Sequence, residues 1–147
     1  MANLYFEDLE EGQRRELGSY TVPEDEMMEF ARRYDPQPIH VDEEAAQDSI
    51  FGGVIASGWY TASVCMRLLA DEFLNEAASM GALGLDKLRW QNPVRAGDTL
   101  TVSNEILETR PSESRDDRGY VRNKTVAYNQ DGEEVLVWVA TNIFASN

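Results

Sequence analysis

The strongest pattern along the chain is a broad apolar stripe that begins at Gly58 and continues to about Asn75. Its positions recur every three or four residues, at Trp59, Ala62, Ser63, Met66, Leu69, Ala70 and Phe73, with Val64, Cys65 and Leu68 widening it. A helix that is apolar over so much of its surface is typical of a protein core. The pattern therefore predicts one long helix, buried and wrapped by a sheet.

The chain after this helix alternates between apolar and polar residues, which is the period of a β-strand. The predicted strands run over 85–91, 99–107, 120–129 and 135–144, with a hairpin turn at 130–132. Several long strands that follow one buried helix favour an α+β fold, in which an antiparallel sheet curls around that helix.

The N-terminal third has a weaker pattern. Residues 1–12 form an acidic lead-in, and residues 15–22 alternate as a possible first strand. Pro23, followed by three acidic residues, suits the first turn of a helix, and apolar residues at helical spacing continue it as far as Tyr34. Asp42 is expected to cap one further helical turn.

The stretch 35–40, which reads Asp-Pro-Gln-Pro-Ile-His, carries the first candidate chemistry. Two prolines restrict their own backbone and that of the residues before them, so the stretch is predicted to be a rigid extended loop. Asp35 and His40, the only histidine, are a pair suited to acid–base catalysis. Taken singly, Asp35 is equally explained as a turn residue and His40 as a hydrogen-bonded loop histidine.

The glycine-fronted start of the long helix is the second candidate feature. Gly52 and Gly53 form a flexible turn that lets the backbone approach a ligand, and Ser57 and Gly58 open the helix. Unpaired N–H groups at a helix start stabilise developing negative charge. Ser57 is expected to cap the helix, and we leave it outside the catalytic set.

Size and composition narrow the class of protein. A chain of 147 residues that is 42% apolar is expected to form one globular domain over 1–147. No apolar run approaches the roughly 20 residues that span a membrane. The first residues lack the basic and apolar pattern of a secretory leader, so we expect a cytoplasmic protein.

Charge and metal-ligating residues limit the partners. The net charge of −14 argues against nucleic acid and anionic membranes. Local cations still attract an anionic ligand within about 8–10 Å, and the candidates are Arg32, Arg33, Lys87, Arg89 and Arg95. With one histidine and one cysteine, no metal site is expected, and Cys65 is predicted to be a buried, inert thiol.

Together these residues resemble the hallmark of the MaoC-like hydratase family, the (R)-specific enoyl-CoA hydratases. The hallmark runs Asp-Pro-any-Pro-Ile/Leu-His, then an acidic, alanine-rich turn, then a glycine-containing segment that enters the central helix; residues 35–42 and 51–58 match it. The resemblance covers nearly the whole chain and implies a hot-dog fold. It also implies a homodimer or larger homo-oligomer joined edge to edge, through 135–144 or a neighbouring strand.

The resemblance further implies a reaction of fatty acid metabolism. Water adds reversibly to a trans-2-enoyl-CoA and gives an (R)-3-hydroxyacyl-CoA. By position, Asp35 and His40 activate the water and the amide of Gly58 binds the thioester oxygen. Coenzyme A is then part of the substrate, and no bound cofactor is expected.

Two alternative functions remain open from the sequence. Hot-dog domains also build acyl-CoA thioesterases, and a non-catalytic domain that binds acyl-CoA or an acyl carrier would keep the same fold. Trp59 and Trp90 are candidates for lining an acyl tunnel, although core packing is the expectation for both.

Overall fold

The computed structural model describes residues 2–147, so Met1 of the predicted lead-in lies outside the described residues. The helices are α1 (Glu24–Tyr34), α2 (Pro38–Val41), α3 (Glu43–Gln47) and α4 (Gly58–Glu72), with 3-10 turns at Phe6–Asp8 and Leu74–Glu76. The strands are β1 (Arg14–Thr21), β2 (Ser79–Arg89), β3 (Thr99–Pro111), β4 (Arg118–Tyr128) and β5 (Glu134–Ala145).

The five strands form one antiparallel sheet in the order β1-β3-β4-β5-β2. Helix α4 lies against its inner face, where buried side chains such as Val64, Cys65 and Leu69 join one apolar cluster with Leu100 and Ile106 of β3. The predicted α+β fold, with an antiparallel sheet around a long central helix, is confirmed. Strand β5 is interior, so the open edges belong to β1 and β2.

Strand β2 differs most from its prediction, because it starts at Ser79 rather than at residue 85. Gly81 and Gly84, both at positive φ, lie within the strand rather than in a loop before it. The pairing of β2 with β5 shifts register between Ser79 and Gly81 and between Ala82 and Gly84. Glycines at such irregularities mark bulges, where a strand continues without strict alternation.

Two predictions about the helices are wrong in part. Residue His40 lies in the single helical turn α2 rather than in an extended loop, because Pro38 occupies the start of that turn, where its missing N–H costs nothing. Helix α4 is not buried on all sides: the exposed fractions are 56% for Trp59 and 45% for Met66. No helix among residues 2–147 is long and apolar enough to cross a membrane.

A buried row of asparagines crosses the inner face of the sheet. The amide nitrogen of Asn104 donates to Oδ1 of Asn123 at 2.9 Å, and the amide nitrogen of Asn123 donates to Oδ1 of Asn142 at 2.9 Å. Thr125 accepts a further hydrogen bond from Asn104 at 3.1 Å. The hydrogen bonds along the row offset much of the cost of burying polar groups in an otherwise apolar core, and Oδ1 of Asn104 is left without a partner among residues 2–147.

We expect the substitution Asn123→Ala to lower the free energy of unfolding by about 2 to 4 kcal/mol, because each buried polar partner left unpaired costs about 1–3 kcal/mol. Urea unfolding at fixed protein concentration measures the change. Asn75→Ala, at an exposed position in the 3-10 turn after α4, is the matched control and should change stability by less than about 0.5 kcal/mol. Equal effects of the two substitutions would contradict the prediction.

Candidate active site

Residues Asp35 and His40 are brought together where α1 ends and α2 begins. The backbone amide of Asp35 donates to the carbonyl of Ala31 at 2.8 Å, so this residue closes α1. His40 follows one helical turn later, and its Nε2 lies 3.3 Å from Oδ2 of Asp35. A carboxylate and an imidazole therefore face each other across a short gap.

The ring of His40 is buried and fixed by the backbone. Its Nδ1 lies 2.8 Å from the carbonyl oxygen of Ile55. Since a carbonyl oxygen only accepts, Nδ1 carries the hydrogen in this contact. This assignment leaves Nε2 as the nitrogen that faces Asp35 and the neighbouring cavity.

Both oxygens of Asp35 accept hydrogen bonds from side chains. The amide nitrogen of Gln37 donates to Oδ1 at 2.7 Å, and the hydroxyl of Ser57 donates to Oδ2 at 2.7 Å. Burial raises the pKa of Asp35, but the hydrogen bonds from Gln37 and Ser57 and the nearby His40 outweigh it and hold the pKa below its usual value. The carboxylate is thus kept in its charged form.

Ser57 has a role that the sequence did not reveal. It caps α4, as predicted, because its Oγ accepts from the amide of Trp59 at 3.2 Å. The same hydroxyl donates to Asp35, 22 residues earlier in the chain. The cap therefore also links the start of α4 to the candidate catalytic carboxylate.

Gly58 is the first residue of α4 and lines the same cavity as Asp35 and His40. The first amides of a helix have no partner within it, and none among residues 2–147 accepts a hydrogen bond from the Gly58 amide. Its carbonyl oxygen accepts from Nε1 of Trp90 at 2.9 Å. The structure thus places all three predicted catalytic residues around one cavity.

This cavity has a volume of about 380 Å³, and its walls are mostly apolar. Trp59 and Trp90 line it in an edge-to-face arrangement, with ring centroids 5.3 Å apart. Their exposed fractions are 56% and 43%, so the expectation that both pack in the core is wrong. Neither position carried a sequence signal that separated a cavity wall from a core.

A neighbouring contact fixes α1 against α4 and β1. The carboxylate oxygen Oε1 of Glu26 accepts from the hydroxyls of Tyr20 and Tyr60, each at 2.6 Å. Burial and the hydrogen bond to Glu26 raise the pKa of Tyr60, so the phenol stays protonated. This contact orients α1, and α1 in turn delivers Asp35 to the cavity.

The candidate cations separate into two groups. Arg95 donates to the carbonyl of Phe51 at 2.6 Å, Arg32 pairs with Glu29, and the guanidinium of Arg33 lies 5.8 Å from the ring centre of Tyr34. Lys87 and Arg89 lie on exposed β2 and form no ion pair with any of residues 2–147. Of the five candidates, only Lys87 and Arg89 have neither an ion pair, a side-chain hydrogen bond nor a ring contact among residues 2–147, and both lie on the strand that leads directly to Trp90.

The thiol of Cys65 is buried, and burial raises its pKa to about 12, which accords with the predicted inert cysteine. Within residues 2–147, no three His, Cys, Asp or Glu side chains are grouped as metal ligands.

A comparison with protein families assigns the chain. The family model described as MaoC like domain matches residues 7–129, which include Asp35, His40 and Gly58. The chain belongs to this MaoC-like family. The predicted family is therefore confirmed.

Several proteins resemble the chain over most of its length. The chain is 32% identical over 127 residues to the uncharacterized protein YdeM of Bacillus subtilis, covering 86% of the chain and 87% of that protein. It is 35% identical over 109 residues to an (R)-specific enoyl-CoA hydratase of Rhodospirillum rubrum, covering 73% and 72%. The crystal structure of a MaoC-like dehydratase from Rhodospirillum rubrum superposes with a TM-score of 0.91 at 41% identity, covering 99% of each chain.

We expect Ser57→Ala to raise the pKa of Asp35, because the substitution removes one of the donors that stabilise the carboxylate. Asp35 then stays ionised over a narrower range of pH, because the midpoint of its protonation moves to higher pH. Loss of the helix cap also lowers the free energy of unfolding by about 0.5–2 kcal/mol. The carboxyl ¹³C shift of Asp35, followed by NMR against pH, measures the midpoint without a substrate.

Ser49→Ala is the matched control for this titration. The hydroxyl of Ser49 donates to the carbonyl of Ala46 at 2.5 Å and forms no hydrogen bond with Asp35, so the midpoint should stay at its wild-type position. A midpoint that also stays in place in Ser57→Ala would show that the Ser57 hydroxyl does not stabilise the carboxylate.

Proposed function

We propose that this protein catalyses the reversible addition of water to trans-2-enoyl-CoA, giving (R)-3-hydroxyacyl-CoA. The observation that carries the proposal is the 3.3 Å approach of His40 Nε2 to Asp35 Oδ2 on the wall of a mostly apolar cavity. The named relative, an (R)-specific enoyl-CoA hydratase, supports the same reaction. Coenzyme A enters as part of the substrate, and no bound cofactor is required.

Asp35 and His40 act together on one water molecule in this proposal. The facing Oδ2 and Nε2 atoms hold the water, and Nε2, which carries no hydrogen when Nδ1 does, accepts a proton from the water as its oxygen bonds to C3 of the enoyl group. The π electrons of the double bond move towards the thioester oxygen, and the proton held on Nε2 is then delivered to C2 as the thioester carbonyl re-forms. The carboxylate of Asp35, held by Gln37 and Ser57, orients the water.

The amide of Gly58 stabilises the negative charge that develops on the thioester oxygen. It lies at the start of α4, where the helix dipole favours negative charge, and it lines the cavity with Asp35 and His40. Oriented N–H donors of this kind are worth about 10²–10³ in kcat in enzymes where they have been removed.

The phosphates of coenzyme A are proposed to bind near Lys87 and Arg89. These cations have no acidic partner among residues 2–147, and they precede Trp90, a cavity-lining residue. A local cationic site of this kind offsets the net charge of −14. The placement of residues 1–147 in one domain and the cytoplasmic location stay predictions.

We also propose that two copies of the chain associate through β2. This strand is an open edge, and its exposed fractions of 46% for Met80, 64% for Leu83 and 46% for Leu85 leave apolar surface uncovered. Trp59 and Met66 extend the apolar surface onto α4. Unpaired backbone groups next to exposed apolar side chains favour pairing with a second strand.

We expect Asp35→Asn and His40→Gln each to lower kcat for crotonyl-CoA hydration by about 10²–10⁴-fold, because each removes a proton-transferring or water-orienting group. Loss of absorbance of the enoyl-thioester double bond measures the rate. A coupled (R)-specific 3-hydroxyacyl-CoA dehydrogenase reports the stereochemistry.

The control for this experiment is Asp42→Asn. It removes the charge of a nearby carboxylate that caps α3, and asparagine caps a helix as well as aspartate does. It should keep the wild-type rate. Release of free thiol without hydration would replace the proposal with thioester hydrolysis. Tight binding without turnover, unchanged in His40→Gln, would identify a non-catalytic acyl-CoA binding domain.

We expect Leu83→Glu to convert a dimer to monomers, because it places a charge on the apolar edge of β2. Sedimentation velocity measures the change. Ile50→Glu is the matched control, since Ile50 is 95% exposed but lies outside β2, and it should leave the dimer intact. A dimer that survives Leu83→Glu would place the interface elsewhere.

A further inference from the structure

The indole of Trp90 fills the space that a side chain at position 58 would occupy. A Cβ atom built on Gly58 would lie 2.4 Å from Cε2, 2.6 Å from Nε1 and 2.8 Å from Cδ2 of Trp90. These distances are far below the contact distance of about 3.5–4.0 Å between non-bonded carbons. A fused ring moves only as a unit, so alanine at position 58 requires the whole indole to be displaced.

The backbone itself does not require glycine at this position. Gly58 is absent from the glycines at positive φ among residues 2–147, and it has the conformation of a first helical residue. Alanine is a better helix former than glycine by about 1 kcal/mol. The steric reason for glycine here is therefore Trp90.

Two contacts hold Trp90 in this place even though its ring is partly exposed. Its Nε1 donates to the carbonyl oxygen of Gly58 at 2.9 Å. Its ring also meets that of Trp59 edge to face at an interplanar angle of 81°. The hydrogen bond fixes the peptide between Gly58 and Trp59, and the ring above the Cα atom limits rotation about the two backbone bonds of Gly58.

We infer that Trp90 is a positioning residue that fixes the direction of the Gly58 amide and makes glycine necessary at position 58. The catalytic meaning of this inference rests on the proposed function, in which that amide binds the thioester oxygen. Trp90 acts through Gly58: its one hydrogen bond to this residue is to the carbonyl oxygen, so it adds no donor of its own to the oxyanion.

A different explanation is that glycine is needed for the substrate: without a Cβ atom at position 58, the thioester can approach the backbone closely. The two explanations predict opposite behaviour when Trp90 is removed. If the substrate needs the space, Gly58→Ala is harmful with or without Trp90. If the indole needs the space, Gly58→Ala is harmful only while Trp90 is present.

The test is a double-mutant cycle of Gly58→Ala and Trp90→Ala, read by urea unfolding and by kcat for crotonyl-CoA. We expect Gly58→Ala to destabilise the wild-type chain and to lower kcat at least tenfold. In the Trp90→Ala background, Gly58→Ala should change kcat by less than about twofold and should leave the midpoint of urea unfolding close to that of Trp90→Ala alone. The reason is that strong coupling between two substitutions is expected for residues in contact. Equal losses in the two backgrounds would overturn the inference.

The positioning role is tested separately with Trp90→Phe, which keeps a ring but removes the hydrogen bond to the Gly58 carbonyl. We expect kcat to fall about two- to tenfold, the range for one neutral hydrogen bond, with KM unchanged. Tyr128→Phe is the control, since Tyr128 lies on β4 outside the cavity and its hydroxyl forms no hydrogen bond with any of residues 2–147; its kcat should stay within twofold of wild type.

An NMR readout separates failure of this inference from failure of the proposed function. We expect the ¹⁵N order parameter of the Gly58 amide to fall in Trp90→Phe and to keep its wild-type value in Tyr128→Phe. An unchanged order parameter in Trp90→Phe would overturn the positioning role whatever the chain catalyses. A fall in the order parameter with no hydration by the wild type would reject the proposed reaction and leave Trp90 as the residue that fixes Gly58.

Discussion

The hydrogen bond from the Ser57 hydroxyl to Oδ2 of Asp35 is the contact on which the candidate site depends. It joins the start of α4, the helix at the centre of the fold, to the end of α1, which carries the carboxylate. The same hydroxyl caps α4, so the group that stabilises the start of the helix also holds the charged carboxylate of Asp35 in place. The site is thus built on the packing of two helices rather than on a free loop.

The sheet contributes to the same site from the opposite side. Strand β2 ends at Arg89, and the next residue, Trp90, meets the first turn of α4 through its ring and its indole nitrogen. The start of α4, with the amide of Gly58, is therefore held from two directions: by α1, which precedes it in the chain, and by Trp90, which follows it. A site assembled in this way is rigid without being deeply buried, which suits a small domain whose cavity must admit a substrate.

The sequence predicted the fold well because its main elements follow simple periods. Helix α4 and strands β4 and β5 were found within a few residues of their predicted bounds. Strand β2 was shortened in the prediction because the conformational freedom of Gly81 and Gly84 is compatible with either a turn or a bulge. The approach of Asp35 to His40 follows from their short separation along the chain, whereas the contact between Ser57 and Asp35 spans 22 residues and depends on how α1 packs.

The bulges of β2 also bear on how the protein avoids aggregation. A regular open strand offers an even row of N–H and C=O groups to any extended chain, and such edges template fibrils. The register shifts at Gly81 and Gly84 break that row into short segments, so an arbitrary strand cannot pair along its whole length. An irregular edge of this kind selects against foreign strands and leaves a complementary surface mainly to a chain with the same irregularity, which another molecule of this protein has.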